Sequence, residues 1–294
     1  MLDEISQEDL AEVAEEVRKR ISATISRDRY MEIDPEEGSL CAVDGGSAVL
    51  ADRGTYLIGA VRIGYFLQKE DKIRMEISKV RIRLFDTSGD HPEDLVSGWR
   101  RSMEMEYAMK ALDHLSPGDV LVMDGSLDGM VGLISTARKR GVLVAGVSKS
   151  SRLNLKGGPA AAVAMRSALE AGIKGAWFLP VYAYQDGVWS ALPEEMSMED
   201  LQEVLERSSF VTGIARLHGH SDFAFRVDLT DMKALSVLAS LSSDAVYPGY
   251  PYPLAAIHNR VAIHRSFASY LKALLRERIP EIGGRFHDVL DMNG

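Results

Sequence analysis

The stretch 119-DVLVMDGSLDGMVGLISTARKRGVLVAGV-147 holds two short apolar runs on either side of a helical pattern. Residues 119–124 and 142–147 have the length and the nearly unbroken apolar character of strands buried on both faces of a parallel sheet. Residues 127–140 between them repeat apolar side chains at helical spacing. Strand, helix and strand in this order predict an α/β fold, in which helices cover a sheet with parallel strands.

Upstream of this unit, the sequence changes to the two-residue period of strands. The run 39-SLCAVDGGSAVLA-51 predicts a strand, a break at Gly45–Gly46 and a second strand, and residues 56–66 predict a half-buried strand. Within residues 72–84 the apolar positions move from odd to even numbers, which predicts a β-bulge near Ser78–Lys79. Because no helical pattern separates these strands, we expect an antiparallel meander.

Further patterns fill the rest of the chain. They predict helices at 92–115 and near 159–172, followed by a strand near 176–183. Residues 185–235 mix turn signals with short apolar runs and predict no definite element. After 248-PGYPYPL-254, one long helix is expected to run to about Ile279, where Pro280 stops it.

At the N-terminus, residues 3–26 predict an amphipathic helix. Ser6 and Asp9 have the spacing of a capping box, and apolar side chains follow at intervals of three or four. A solvated arm is favoured over a partner-binding helix. The expected organisation is therefore an N-terminal helical arm at 1–38 and one mixed α/β domain at 39–294, with an α+β insertion at about 185–245.

Composition excludes several classes of protein. With 46% hydrophobic and 26% charged residues, the 294-residue chain matches the globular average, so global disorder is not expected. No apolar run approaches the roughly 20 residues that span a bilayer, and the acidic start MLDEISQEDL lacks the features of a secretory signal. The single cysteine, Cys41, excludes an internal disulfide and a multi-cysteine zinc site. We expect a cytoplasmic protein with no membrane partner.

The charge balance limits the kind of nucleic-acid contact. The chain has 34 Lys and Arg against 43 Asp and Glu, a net charge of −9, which excludes a uniformly basic surface. A local basic groove remains compatible with this total. The predicted strands at 56–84 provide either such a groove or an ordinary solvated sheet face through Arg62, Lys72, Arg74, Lys79, Arg81 and Arg83.

Two aspartates follow buried strand patterns. Asp44 in AVDGGS and Asp124 in LVMDGSL each come at the end of an apolar run, directly before a glycine. Ligands in open α/β sheets bind beyond the carboxyl ends of the strands. An aspartate in this setting also caps turns and helices, but two of them favour a shared site.

Glu104 occupies an unexpected position in the helix predicted at 92–115. On a helical wheel it falls in the middle of the apolar arc, whereas Glu106 falls on the solvated face. The arc is formed by Met103, Tyr107, Ala108, Ala111, Leu112 and Leu115. A buried carboxylate is costly without a cation. A glutamate that faces two strand-end aspartates suits a hard divalent cation such as Mg²⁺ or Mn²⁺. The alternative is a glutamate that reaches solvent at the domain edge.

Other polar side chains are expected at the same edge of the sheet. Lys149 follows the strand at 142–147 and either neutralises a phosphate or is an ordinary surface lysine. His258 shares the inward face of the final helix and is either a ligand or a core histidine. Tyr250 and Tyr252 either pack the helix entry or form a stacking edge for a nucleotide.

Taken in order, these motifs resemble those of the NurA nuclease family. The resemblance rests on AVDGGS, a glutamate on a helix, VLVMDGSL, GVSKSSRL and GYPYPLAAIH, and covers residues from about 40 to 270. It implies a ribonuclease H-like fold. By this match the family's metal-binding set corresponds to Asp44, Glu104, Asp124 and His258, its lysine to Lys149 and its tyrosine to Tyr250. Glu106 and Tyr252 are the alternatives at two of these positions.

The resemblance also implies an activity and partners. It implies a manganese-preferring (or magnesium-using) DNA nuclease with 5′–3′ exonuclease and single-strand endonuclease activity. It implies a homodimer that works with a hexameric HerA-like translocase on single- and double-stranded DNA ends, in end resection and homologous recombination. Two metal ions about 3.5–4 Å apart would then activate a water and stabilise the leaving 3′-oxygen, with Asp44 bridging them.

Two other functions remain open. An actin- or hexokinase-like ATPase has a related core and a similar Asp-Gly-Gly-Ser loop, but it needs a late glycine-rich adenosine loop, which 248-PGYPYP-253 matches poorly. A non-catalytic DNA-binding scaffold subunit with the same fold is the second, and the complete carboxylate set argues against it. ATP hydrolysis without DNA cleavage would identify the first function, and a failed metal titration would identify the second.

Overall fold

The computed structural model describes residues 7–21, 24–69, 72–87 and 91–280, and its core is one large mixed sheet. The strands are β1 Met31–Glu32, β2 Leu40–Asp52, β3 Tyr56–Lys69, β4 Lys72–Ile77, β5 Arg81–Asp86, β6 Val120–Asp124, β7 Leu143–Ser148, β8 Asn154–Leu155, β9 Gly158–Pro159, β10 Trp177–Gln185, β11 Val188–Ala191, β12 Phe210–Arg216 and β13 Phe225–Leu229. The helices are α1 Gln7–Arg20, α2 Pro92–Ala111, α3 Val131–Lys139, α4 Ala160–Glu170, α5 Met198–Arg207, α6 Met232–Ser240, α7 Tyr252–Val261 and α8 Arg265–Arg278.

The main sheet has the order β1-β10-β12-β13-β7-β6-β2-β3-β4, with β5 paired to β3 and β11 to β10. Strands β2, β6 and β7 run parallel to one another, and β3 runs antiparallel to β2. Side chains of β2 alternate between two helical layers. Cys41 and Val43 pack with α2 and α3, whereas Leu40 and Ala42 pack with the layer that contains α7. The predicted α/β architecture, a mixed sheet flanked by helices, is confirmed.

Strand β2 is continuous, so the predicted break at Gly45–Gly46 is wrong. The two glycines pair with Ile63 and Arg62 of β3 in regular antiparallel register. They are needed for close packing on opposite faces. A Cβ on Gly45 would lie 2.4 Å from Ile63 Cδ1 and 2.8 Å from Glu104 Oε1, and a Cβ on Gly46 would lie 2.1 Å from the Val261 carbonyl oxygen.

The meander at the end of the sheet was predicted correctly, with differences in detail. Strand β3 is buried on both faces and not half-buried, because α2 covers one face while α7 and α8 cover the other. β4 and β5 pair with successive parts of β3, and the register shifts by one residue between them. The shift falls at 78–80, where the sequence predicts a bulge. There the Ser78 hydroxyl accepts the Ile63 N–H at 3.0 Å.

The long helix predicted up to Ile279 is interrupted, and α7 and α8 are separate helices. Ala262 adopts an extended conformation (φ −53°, ψ 129°), which ends α7. The guanidinium of Arg62 donates to the Val261 carbonyl through Nε at 3.3 Å and to the Ala262 carbonyl through Nη2 at 2.8 Å. These bonds satisfy carbonyls that a continuing helix would otherwise pair. The end of the helix is thus held by a strand residue 200 positions earlier.

The stretch 185–245 was predicted as an α+β insertion, but its strands are an integral part of the main sheet, because they connect β10 to β7. It contains β11, α5, β12, β13 and α6, and β12 and β13 pair with β10 and β7 within the main sheet. The predicted N-terminal helix is present as α1, and Val13 and Val17 on it are exposed, as in a solvated arm. Its predicted cap Ser6 lies outside the described residues, as do 281–294. None of the helices in the described ranges is long and apolar enough to cross a membrane.

Candidate metal centre

Asp44 and Asp124 lie side by side on neighbouring parallel strands. β2 and β6 pair through Val43 and Met123, so the next residue on each strand is the aspartate. Asp124 ends β6, as predicted. Asp44 lies inside β2 and not at its end, because β2 continues along β3 after β6 has stopped. Asp44 is 2% exposed. Both carboxylates lie where β6 ends while its neighbour β2 continues, and we call this place the step in the sheet.

His258 brings a nitrogen atom to this step from α7. Its Nδ1 lies 2.7 Å from Asp44 Oδ2 and 3.5 Å from Asp124 Oδ2. Among the described residues, these three form the one group of His, Cys, Asp or Glu side chains whose ligand atoms all lie within 4.8 Å of one another. The helix face that bears Ile257 and Val261 is buried, whereas the His258 side chain is 47% exposed. The predicted inward position of His258 is therefore wrong, because its ring lies at the solvent-facing edge of the carboxylates.

Lys149 and Tyr250 adjoin the group of three. Lys149 Nζ lies 2.7 Å from Asp124 Oδ2 and 5.1 Å from the centre of the Tyr250 ring. Tyr250 is buried, and its hydroxyl has no partner in hydrogen-bond geometry among the described residues. Tyr252 is instead 41% exposed, with its ring edge against Phe66. The structure therefore brings Tyr250, and not Tyr252, next to the carboxylates.

Glu104 is buried and Glu106 is exposed, as the helical wheel predicts. The Glu104 carboxylate is not in the group of three, because it pairs with Arg100 one turn earlier on α2. Arg100 also lies 3.4 Å from the Gly45 carbonyl oxygen. This arginine was missed from the sequence, although the spacing of four residues to Glu104 is that of a helical ion pair.

Burial and mutual charge set the protonation of these groups. Burial raises the pKa of Asp44, and burial raises that of Glu104 to about 8, against the opposing effect of Arg100. Burial acts in the same direction on Asp124, but the His258 and Lys149 contacts outweigh it and lower the pKa of Asp124. Hydrogen bonds to Asp124 and Asp44 raise the pKa of His258 to about 9. Burial raises the pKa of Tyr250 well above its usual range, so its hydroxyl stays protonated.

The predicted basic groove is only partly available. Arg62 is half-buried, bound to the end of α7 and packed over the Phe267 ring at 5.3 Å, so it is not free to line a groove. Arg74 makes an exposed ion pair with Glu76 at 3.6 Å, and Arg83 lies over Phe85. A role of the strands in DNA contact remains a prediction that rests on the exposed residues of β4 and β5.

The donor set suits a divalent cation. Two carboxylates and one imidazole converge from three elements, and the partly exposed histidine leaves the group open on one side. The class of the fold is a mixed α/β sheet flanked by helices, with one carboxylate at the end of the central parallel strand β6 and the other inside the neighbouring β2.

The comparisons with known proteins assign the family. The model of the NurA domain matches residues 38–263, which is most of the chain. The chain therefore belongs to the NurA family, and it is a nuclease, a hydrolase that acts on DNA. The comparison with curated protein sequences finds no match.

Solved NurA structures share the fold at low sequence identity. The NurA nuclease from Sulfolobus solfataricus is 17% identical, with a TM-score of 0.63, over 94% of this chain and 98% of that one. A NurA structure with manganese is 10% identical, with a TM-score of 0.59, over 92% and 98%. A NurA structure bound to dAMP and manganese is 12% identical, with a TM-score of 0.56, over 98% and 96%.

Proposed function

We propose that this protein is a metal-dependent DNA nuclease whose metal ligands are Asp44, Asp124 and His258. The observation that carries the proposal is the convergence of their three ligand atoms within 4.8 Å, at the step where β6 ends beside β2. Two carboxylate oxygens and one imidazole nitrogen suit Mn²⁺, since imidazole is a softer donor than oxygen, and they also allow Mg²⁺. Solved NurA structures that contain manganese support this choice of metal.

The bound cation would supply Lewis-acid stabilisation of charge on the phosphate and would lower the pKa of the attacking water. Asp44 and Asp124 hold their negative charges close together, which repels other anions unless a cation is present. His258 must lose its proton to bind metal. Its hydrogen bond to Asp44 fixes the orientation of the ring before that happens.

Lys149 faces the substrate, whereas Tyr250 supports the site from within the protein. Lys149 is 39% exposed and adjoins Asp124, so its ammonium group can neutralise charge on the scissile phosphate. The Tyr250 hydroxyl is buried and protonated, and its side chain lies beside Asp124, so it can donate a hydrogen bond to that carboxylate. Lys149 therefore stabilises charge on the phosphodiester, and Tyr250 helps to position Asp124.

A second cation would require Glu104. This carboxylate lies close to Gly45, the residue after Asp44, but is held by Arg100. Its raised pKa favours the protonated form at neutral pH. We propose that Glu104 becomes a ligand only when a cation displaces its proton and weakens its pairing with Arg100.

The wider role follows the family. We propose that the protein cleaves single- and double-stranded DNA ends in the cytoplasm, with 5′–3′ exonuclease and single-strand endonuclease activity, during end resection. We propose that it acts as a homodimer together with a hexameric HerA-like translocase. The net charge of −9 supports the need for partners, because a strongly acidic protein holds DNA weakly by itself.

The activity is tested with 5′- and 3′-labelled single- and double-stranded DNA in Mn²⁺, Mg²⁺ or EDTA. We expect cleavage that needs metal and is lost in Asp44→Asn, with the exposed Glu106→Gln as the matched control. Cleavage by Asp44→Asn at the wild-type rate would contradict the ligand assignment. ATP hydrolysis without DNA cleavage would favour an ATPase, and the absence of metal binding and of both reactions would favour a scaffold subunit.

A further inference from the structure

A cavity of about 410 Å³ opens directly beside the candidate metal centre. His258 of the metal centre and the adjoining Lys149 also line the cavity. The remaining wall is mainly apolar and comes from two loops. The loop before β13 contributes Phe223, and the loop before α7 contributes Val246 and Tyr247.

Two aromatic side chains of this wall are unusually exposed. Phe223 is 65% exposed and Tyr247 is 44% exposed, although both are large apolar residues. Deeper in the cavity, Phe225 packs against Tyr250 with ring centres 5.4 Å apart. Exposed aromatic groups around a concave surface are typical of a binding site.

The loop that presents Phe223 is held in a fixed conformation. The buried Ser221 hydroxyl donates to the Phe223 carbonyl at 2.9 Å and accepts the Phe223 N–H at 3.1 Å. The guanidinium of Arg216 donates to the Ser221 carbonyl at 2.9 Å. These bonds hold the backbone that presents the exposed ring of Phe223.

The second loop is fixed against the first. Asp244 Oδ1 accepts the N–H groups of Val246 and Tyr247 at 2.8 and 3.2 Å. Gly249 has a φ of +87°, and a Cβ on it would lie 2.2 Å from Ser221 Oγ, so only glycine permits this contact between the loops. Because both loops are already ordered, a ligand can bind in the cavity with little loss of conformational entropy in the protein.

We propose that this cavity binds the nucleobase next to the scissile phosphate, stacked against Phe223 and Tyr247. The inference rests on the proposed nuclease function and names how its substrate is held. The two parts of a nucleotide match the two parts of the site. The anionic phosphate complements the ammonium group of Lys149, and the aromatic base complements the cavity wall lined by aromatic rings. Stacking accepts all four bases, so little sequence preference is expected.

Such a site favours unpaired DNA. A base inside a duplex is stacked and paired, and it must leave both contacts to enter a cavity beside the metal centre. A base in a single strand or at a frayed end is not paired, so its transfer into the cavity costs less free energy. Cleavage of single-stranded DNA should therefore be faster than cleavage within a blunt duplex.

The first test follows base stacking without cleavage. Oligonucleotides carry the fluorescent base 2-aminopurine at the 5′ end, the 3′ end or the centre, and bind the wild-type protein in EDTA. At saturating protein we expect quenching for at least one position, its loss in Phe223→Ala and its retention in Phe223→Trp. Leu169→Ala, an 80% exposed apolar residue on α4, is the control and should quench like the wild type. Equal quenching by wild type and Phe223→Ala, or none by either, would overturn the proposal.

The second test measures cleavage of a normal single strand and of one with abasic nucleotides beside the cleaved bond. We expect the wild type to prefer the normal strand in kcat/KM by about five- to 150-fold, the range for losing one base–aromatic stack. Phe223→Ala should lose most of this preference. If the wild type cleaves both strands equally, the base site is refuted while the nuclease stands. If it quenches 2-aminopurine but cleaves neither strand, the nuclease is refuted while the base site stands.

Discussion

His258 Nδ1 lies 2.7 Å from Asp44 Oδ2, and this contact joins α7 to β2 across 214 residues of sequence. When His258 is protonated, a proton lies between two atoms that we propose as metal ligands. Protons and metal therefore compete for the same group of three side chains. The protein should hold the proton at low pH and the metal at high pH.

The pH dependence of stability tests this contact. Its two carboxylate partners raise the pKa of His258 to about 9, above the usual 6.5. The contact therefore stabilises the metal-free protein fully below about pH 6.5 and is lost as pH rises through 9. In EDTA, the thermal midpoint of the wild type should exceed that of His258→Ala more at pH 6 than at pH 9.5. An equal difference at the two pH values would show that the histidine is not charged in this contact.

Glu104 and Glu106 should behave differently in the absence of metal. Burial raises the pKa of Glu104 to about 8, so the folded state resists its ionisation, and stability falls as pH rises from about 4.5 to 8. Glu104→Gln imitates the protonated form, so its thermal midpoint in EDTA should rise relative to the wild type at pH 9 and change little at pH 5. The exposed Glu106→Gln should match the wild type at both pH values. If Glu106→Gln is stabilising at pH 9 and Glu104→Gln is not, then Glu106 and not Glu104 is the buried carboxylate.

Arg62 should support the break between α7 and α8. Arg62→Ala leaves the Val261 and Ala262 carbonyls without their guanidinium donor, which should cost about 2 kcal/mol in the free energy of unfolding. Lys79→Ala, at an exposed position between β4 and β5, is the control and should cost less than about 0.5 kcal/mol. Urea denaturation measures both. Equal costs would show that the helix break does not depend on Arg62.

Two glycine-to-alanine substitutions should change the free energy of unfolding in opposite directions. Gly46→Ala places a Cβ 2.1 Å from the Val261 carbonyl oxygen, so α7 must shift and stability should fall by at least about 1 kcal/mol. Gly98→Ala lies within α2 with open space around its Cβ, and it should add about 0.5–1 kcal/mol through helix propensity. Denaturation of both variants measures the difference. A stable Gly46→Ala variant with unchanged metal affinity would contradict the packing role of this glycine.

Much of the site could be predicted because it depends on local patterns. Two apolar runs that end in aspartate indicate neighbouring strands, and the wheel position of Glu104 indicates burial. The break at Ala262 could not be predicted, because it depends on Arg62, which is distant in sequence. The glycines at 45 and 46 suggest a turn, yet they serve close packing against α2 and α7. The strands within 185–245 are defined by pairing with β10 and β7, which no local signal reveals.

Direct Mn²⁺ binding tests the central claim that Asp44, Asp124 and His258 form a metal centre. Electron paramagnetic resonance of free Mn²⁺ measures binding by the wild type, Asp44→Asn and the control Glu106→Gln at pH 8. We predict saturable binding by the wild type and by Glu106→Gln, with at least a tenfold loss of affinity in Asp44→Asn. Equal Mn²⁺ affinity of the wild type and Asp44→Asn would contradict the account.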